Sequence, residues 1–143
     1  MKVMVLIKAT EESEAGTLPT TEQLAAMTAF NEELVRAGVL LCGEGLHPSV
    51  RGIRVRLNGT LGSTIKGPFN EIGTLISGFW IWRVSSMEEA VAWAKQCPSS
   101  IGEGAEIELR PVMEADDFRE EFTPELRERE EKLRAAVEAG GAI

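Results

Sequence analysis

Apolar positions along the chain keep two different rhythms, and the change from one to the other marks the elements. In "KVMVLIK" Val3, Val5 and Ile7 alternate with Met4 and Leu6, so both faces are apolar and a central strand over residues 2–8 is predicted. The polar stretch "ATEESEAGTLP" predicts a loop. From Thr20 the period becomes helical: Leu24, Met27, Phe30 and Leu34 share a face, Thr20 with Gln23 forms a capping box, and Gly38 follows the end. "VLLCGEGL" returns to a strand that stops at His47 and Pro48. "GIRVRL" alternates Ile53, Val55 and Leu57 with Arg54 and Arg56, and the two are expected to pair through that turn. Asn58-Gly59 signals a hairpin into "TLGSTI".

Beyond the Gly67-Pro68 turn, "LISGFWIWRV" is apolar on both parities, with Phe79 and Ile81 on one and Ile76, Trp80, Trp82 and Val84 on the other. Ser85 with Glu88 predicts a second capped helix, with Met87, Val91 and Ala94 on one face and Pro98 as its stop. In "AEIELRPV" Ile107 and Leu109 alternate with Glu106, Glu108 and Arg110, and Pro111 points to an edge position or the strand's end. Thr123 and Pro124 open a tail helix that carries few large apolar residues.

This order predicts an α+β fold, a ferredoxin-like sandwich of βαββαβ type with an extra hairpin strand, followed by a C-terminal helix. Residues 1–113 form the domain and residues 114–143 an acidic helical tail. Two helices cover only one face of a sheet whose last long strand is apolar on both sides. The uncovered face is therefore expected to meet a second subunit, giving a homodimer.

Composition narrows the function classes. A chain of 143 residues with 43% apolar and 27% charged residues is sized and composed for one folded domain. Its net charge is −8; from Glu114 onward ten acidic and five basic side chains leave −5. Such a surface repels phosphate backbones, and no Lys/Arg cluster with interleaved aromatics offsets it, so no direct nucleic-acid partner is expected. No membrane span or cleaved leader is expected either, which predicts a cytoplasmic protein. Cys42 and Cys97 stand 55 positions apart without metal-ligand spacing, and both are expected to pack as small apolar residues. No metal or other cofactor is implied, because no phosphate loop, zinc spacing or dinucleotide fingerprint is present.

Candidate chemistry concentrates in two stretches. His47 is the sole histidine, and Glu44 precedes it by three residues; the two converge only if Gly45 bends the chain, and would then make a general base. The bland alternative is a decorated surface turn. Lys66 and Glu71 flank the Gly-Pro loop, where a partly desolvated lysine could serve as base, anion holder or Schiff-base former and Glu71 could pair with it or serve as an acid; otherwise both are solvated. Phe69, Trp80 and Trp82 offer aromatic surface for a flat ligand or for packing across a dimer. Arg54 shares a strand parity with Arg56, and Arg110 would join them if its strand lay alongside; such a pair can bind a carboxylate or phosphate, and otherwise forms the polar side of a half-exposed strand.

The segments "GVLLCGEGLHPS", "GPFNE", "GFWIWRV", "EEAVAWAKQCP" and "GAEIELRPV", in this order and spacing, resemble the YCII-related proteins of the DGPF type. The resemblance covers about residues 1–113. It implies a ferredoxin-like fold that pairs through its sheets into a dimeric α/β barrel with a cleft. It also implies two kinds of role: cofactor-free lyase chemistry using a His and Asp pair, or association with an extracytoplasmic-function sigma factor. The chain departs from the naming motif, with Lys66 in place of its Asp before Gly67, Pro68 and Phe69, and the near-N-terminal histidine of the lyase branch is absent. The expectation is a homodimer that binds a small aromatic or unsaturated acid, with lyase or isomerase chemistry if it is an enzyme. The alternative is a non-catalytic regulatory module acting through its acidic tail.

Overall fold

The computed structural model describes residues 1–102 and 104–141. In chain order the elements are β1 (Lys2–Lys8), α1 (Glu11–Glu14), α2 (Thr21–Arg36), β2 (Leu40–Gly45), β3 (Ile53–Arg56), β4 (Ser63–Lys66), β5 (Ile76–Arg83), α3 (Met87–Ala94), β6 (Ile107–Pro111) and α4 (Pro124–Ala139). Four strands form an antiparallel sheet in the order β2-β5-β1-β6, and β3 pairs with β4 as a separate hairpin. That order, with α2 and α3 packed on one face, is the expected ferredoxin-like α+β arrangement, and β6 with its Pro111 lies at an edge.

The core sits between this face and the helices. Register places Val3 opposite Trp82 and Val5 opposite Trp80. These four side chains meet Phe30 and Leu34 of α2 and Ala90 of α3. Phe30 packs edge-on to both tryptophans, with ring centroids 5.8 and 6.4 Å apart. The other parity of the sheet carries Leu6 opposite Phe79 and Met4 opposite Ile81, half-buried on the face away from α2 and α3.

The α2 boundaries follow local chemistry. Thr20 Oγ1 accepts from Gln23 N and Gln23 Oε1 accepts from Thr20 N, satisfying two donors that a helix start leaves open. At the other end Gly38 takes φ 72°, so that Val39 N can reach the Leu34 carbonyl at 2.9 Å.

Four local expectations are corrected. β2 pairs with β5 and not with β3, because that pairing lays Leu40 beside Trp82, whereas β3 has an arginine at every second position and nothing to bury on that side. Residues 11–14 form a helical turn in place of a loop, started by reciprocal bonds between Thr10 and Ser13. The cap of α3 is Ser86, one residue later than expected, since Ser85 donates its Oγ and N–H to Glu89 Oε2 at 2.5 and 2.7 Å. Ala90, not Val91, is the buried centre of α3.

Two measurements follow. Leu34 is fully buried, so Leu34→Ala is expected to cost about 3–5 kcal/mol in urea denaturation; a cost below about 1 kcal/mol would show that this face is not packed as described. The Ser85 hydroxyl and then its amide hold the Glu89 carboxyl below its ordinary value of 4.5. A depressed carboxyl contributes stability above that value and loses it as pH falls through the folded value. Glu89→Gln should therefore flatten the decline of the urea midpoint below pH 4.5, while leaving identical acid sensitivity would count against the cap.

Candidate functional site

Three loops converge beside the free end of β2. The strand closes with Leu46 N donating to the Ser77 carbonyl at 2.8 Å, after which the chain turns through His47 and Pro48 into a helical turn at Ser49–Arg51. Ser49 is the hub of the junction. Glu14 of α1 accepts from Ser49 N at 3.0 Å and from Ser49 Oγ at 2.6 Å, and Ser49 Oγ accepts from Phe69 N at 3.0 Å. A carboxylate strengthens both bonds that it receives. The Gly-Pro loop closes on the same turn: Gly67 N donates to the Gly52 carbonyl at 2.9 Å, and a Cβ at Gly67 would overlap the Ser49 carbonyl oxygen. Only glycine permits this approach.

Between these loops and α2 lies a cavity of about 750 Å³, a size that suits a small organic ligand. Leu18, Leu24, Met27 and Trp80 give it apolar walls, and Gln23, Asn31, Glu44, His47 and Arg51 give it polar groups. Asn31 Oδ1 accepts from Trp80 Nε1 at 3.0 Å, which ties the strand's ring to α2. At the rim Arg51 Nη1 lies 2.8 Å from His47 Nε2. A guanidinium cannot accept, so this contact uses the Nε2 lone pair and places the imidazole proton on Nδ1.

Of the residues singled out from sequence, Glu44, His47 and Trp80 gather at this cavity. Gly45 ends β2, and the turn after it brings Glu44 and His47 to one space. Lys66 and Glu71 lie elsewhere: Lys66 is exposed on β4 opposite Ile53, and Glu71 is exposed before the turn Ile72–Thr74. Arg54 stacks its guanidinium over Phe69 at 3.9 Å from the ring centroid, so these two meet each other outside the cavity. Trp82 has no exposed surface and is a core residue, not a ligand wall. Arg110 does not join Arg54, because β6 is the far edge strand and β3 belongs to the separate hairpin. Cys97 packs against the core as expected, and burial pushes its thiol up to about 11.

Sequence reasoning missed Arg51, Asn31 and the Glu14–Ser49 pair. The four-residue spacing of His47 and Arg51 was a readable signal for the first. Glu14 and Ser49 are 35 residues apart and share no local pattern.

Comparison with protein families finds a match to the model of the YCII-related domain over residues 1–116. No curated protein matches the chain.

Removing the hub tests the junction. Ser49→Ala leaves the Glu14 carboxylate and the Phe69 amide without this partner and is expected to cost about 1–3 kcal/mol in urea denaturation, with faster hydrogen exchange at the Phe69 amide. Unchanged exchange there would mean that Ser49 does not hold the loop.

Proposed function

Since the chain belongs to the YCII-related family, we propose that it is a homodimer that binds a small aromatic or unsaturated carboxylic acid in the cavity beside His47. The observation that carries this reading is the contact of Arg51 with His47 at the rim of a cavity whose walls are Leu24, Met27 and Trp80. A guanidinium recognises a carboxylate with two parallel hydrogen bonds, and the apolar walls suit a flat hydrocarbon body. The uncovered parity of the sheet, with Met4, Leu6, Phe79 and Ile81, is the surface that the second copy covers.

The arrangement also supplies a cofactor-free route for proton transfer. A ligand carboxylate that draws Arg51 away frees the Nε2 lone pair of His47. His47 then takes a proton from the carbon next to the ligand's electron-withdrawing group. The electron pair left on that carbon expels a leaving group in a lyase reaction, or the proton returns at another carbon in an isomerisation. Glu44 shares the cavity and is the candidate to accept or return the second proton. The bound Arg51 positions the ligand and stabilises the carbanionic charge.

Thermal denaturation with a panel of aromatic and α,β-unsaturated carboxylates, alongside their neutral amides, tests the binding. Acids should raise Tm and amides should not; at a hundredfold excess over Kd the stabilisation is about 2.7 kcal/mol. Arg51→Ala should abolish the shift. His47→Ala should keep binding but lose exchange of the ligand's α-proton with D2O, read by NMR. If no acid stabilises the protein, or if Arg51→Ala binds as well as the parent, the reading fails.

A further inference from the structure

The hairpin of β3 and β4 is built inside out. Arg54 turns onto Phe69, whose amide is fixed to Ser49, so the arginine parity of β3 faces the rest of the chain. The apolar parity faces solvent: Ile53 and Val55 are 60% and 59% exposed, and Leu57, just past the end of β3, is 90% exposed. Across the hairpin Lys66 stands opposite Ile53 on this same outward parity. A half-covered strand ordinarily turns its apolar side inward, and an apolar face left in water marks an interaction surface.

Charge indicates what covers it. Residues 51–67 contain Arg51, Arg54, Arg56 and Lys66 and no carboxylate. The whole chain has 15 basic and 23 acidic side chains, so the remainder has 11 against 23 and a net charge of −12. The segment that follows β6 is the counterpart. Within residues 113–122, Glu114, Asp116, Asp117, Glu120 and Glu121 stand against Arg119 alone, and Met113 and Phe118 are 58% and 47% exposed. This segment is held in shape by Arg127, which donates to the Phe122 carbonyl at 3.0 Å, Asp116 Oδ1 at 2.9 Å and the Ala115 carbonyl at 3.3 Å. Phe118 rests on Phe122 with centroids 5.8 Å apart.

Within one copy the two surfaces leave from opposite edges of the sheet, the hairpin after β2 and the acidic segment after β6. We propose that the hairpin of one copy docks on the acidic segment of a second, with Ile53, Val55 and Leu57 covering Phe118 and Met113, and with Lys66, which shares their outward parity, meeting Glu120 and Glu121. A two-fold pair makes this contact twice, because each copy offers one hairpin and one segment. The inference rests on the homodimer reading and adds the contact that specifies the pairing. Opposite charges across it set partner choice and salt dependence.

Sedimentation equilibrium on the full chain tests it with two exposed charge reversals, Lys66→Glu on the hairpin and Glu120→Lys/Glu121→Lys on the segment. The wild type should dimerise and weaken as salt is raised. Each reversed chain alone should weaken by at least about tenfold in Kd, since both of its contacts then join like charges. An equimolar mixture of the two should recover a dimer, because the heterodimer pairs opposite charges at both contacts. Recovery also shows that the substituted chains are folded. A wild type that stays monomeric at low salt overturns this contact and the homodimer together. A wild-type dimer with unchanged Kd in the reversed chains, or no recovery on mixing, overturns the hairpin contact and leaves the homodimer standing.

Discussion

A tryptophan laid over a glycine sets the geometry on which the rest of this protein depends. Trp80 stands in β5 opposite Gly43 of β2, and a Cβ at Gly43 would collide with the indole ring. The missing side chain leaves room for the ring, which packs T-shaped with Phe30 and donates its N–H to Asn31 Oδ1. Trp80 and Trp82 fill this space together, with centroids 5.6 Å apart, on the face that α2 and α3 cover. The opposite parity, with Met4, Leu6, Phe79 and Ile81, is left half-buried on the face away from α2 and α3.

The same ring links stability to the candidate chemistry. Trp80 is almost wholly buried, yet its remaining edge lines the cavity, so the wall that a ligand would meet is part of the core and costs no ordering on binding. The polar rim is organised differently. His47 and Arg51 are exposed residues of a short turn, and their placement depends on the Ser49 junction that ties this turn to α1 and to the Gly-Pro loop. A rigid apolar wall and a tethered polar rim are what a small-acid site requires. Lys66, where the resembled motif has an aspartate, belongs to neither; its ammonium stands on the outward parity of the hairpin beside Ile53.

Much of the fold was legible in the chain because its signals are local. The Thr20–Gln23 cap, the Gly38 stop, the Asn58-Gly59 hairpin and the edge Pro111 each act within a few residues, and each is found where expected. Errors arose where two local readings tied. Ser85 and Ser86 are both able to cap α3, and only the reach of the Glu89 carboxylate separates them. Proximity in sequence points β2 to β3, whereas burial of its apolar residues beside Trp82 drives it to β5.

The sequence by itself determined the alternation of elements, the capping of the long helix and the family, because periodicity and turn chemistry are properties of neighbouring residues. Tertiary structure alone decided which parity of β5 is core, and so took Trp82 out of the site. It also removed Lys66 and Glu71 from the company of His47 and brought in Arg51, Asn31 and Glu14. Both faces of β5 read as equally apolar along the chain; only the finite width of two helices, and a glycine across the sheet from Trp80, could choose between them.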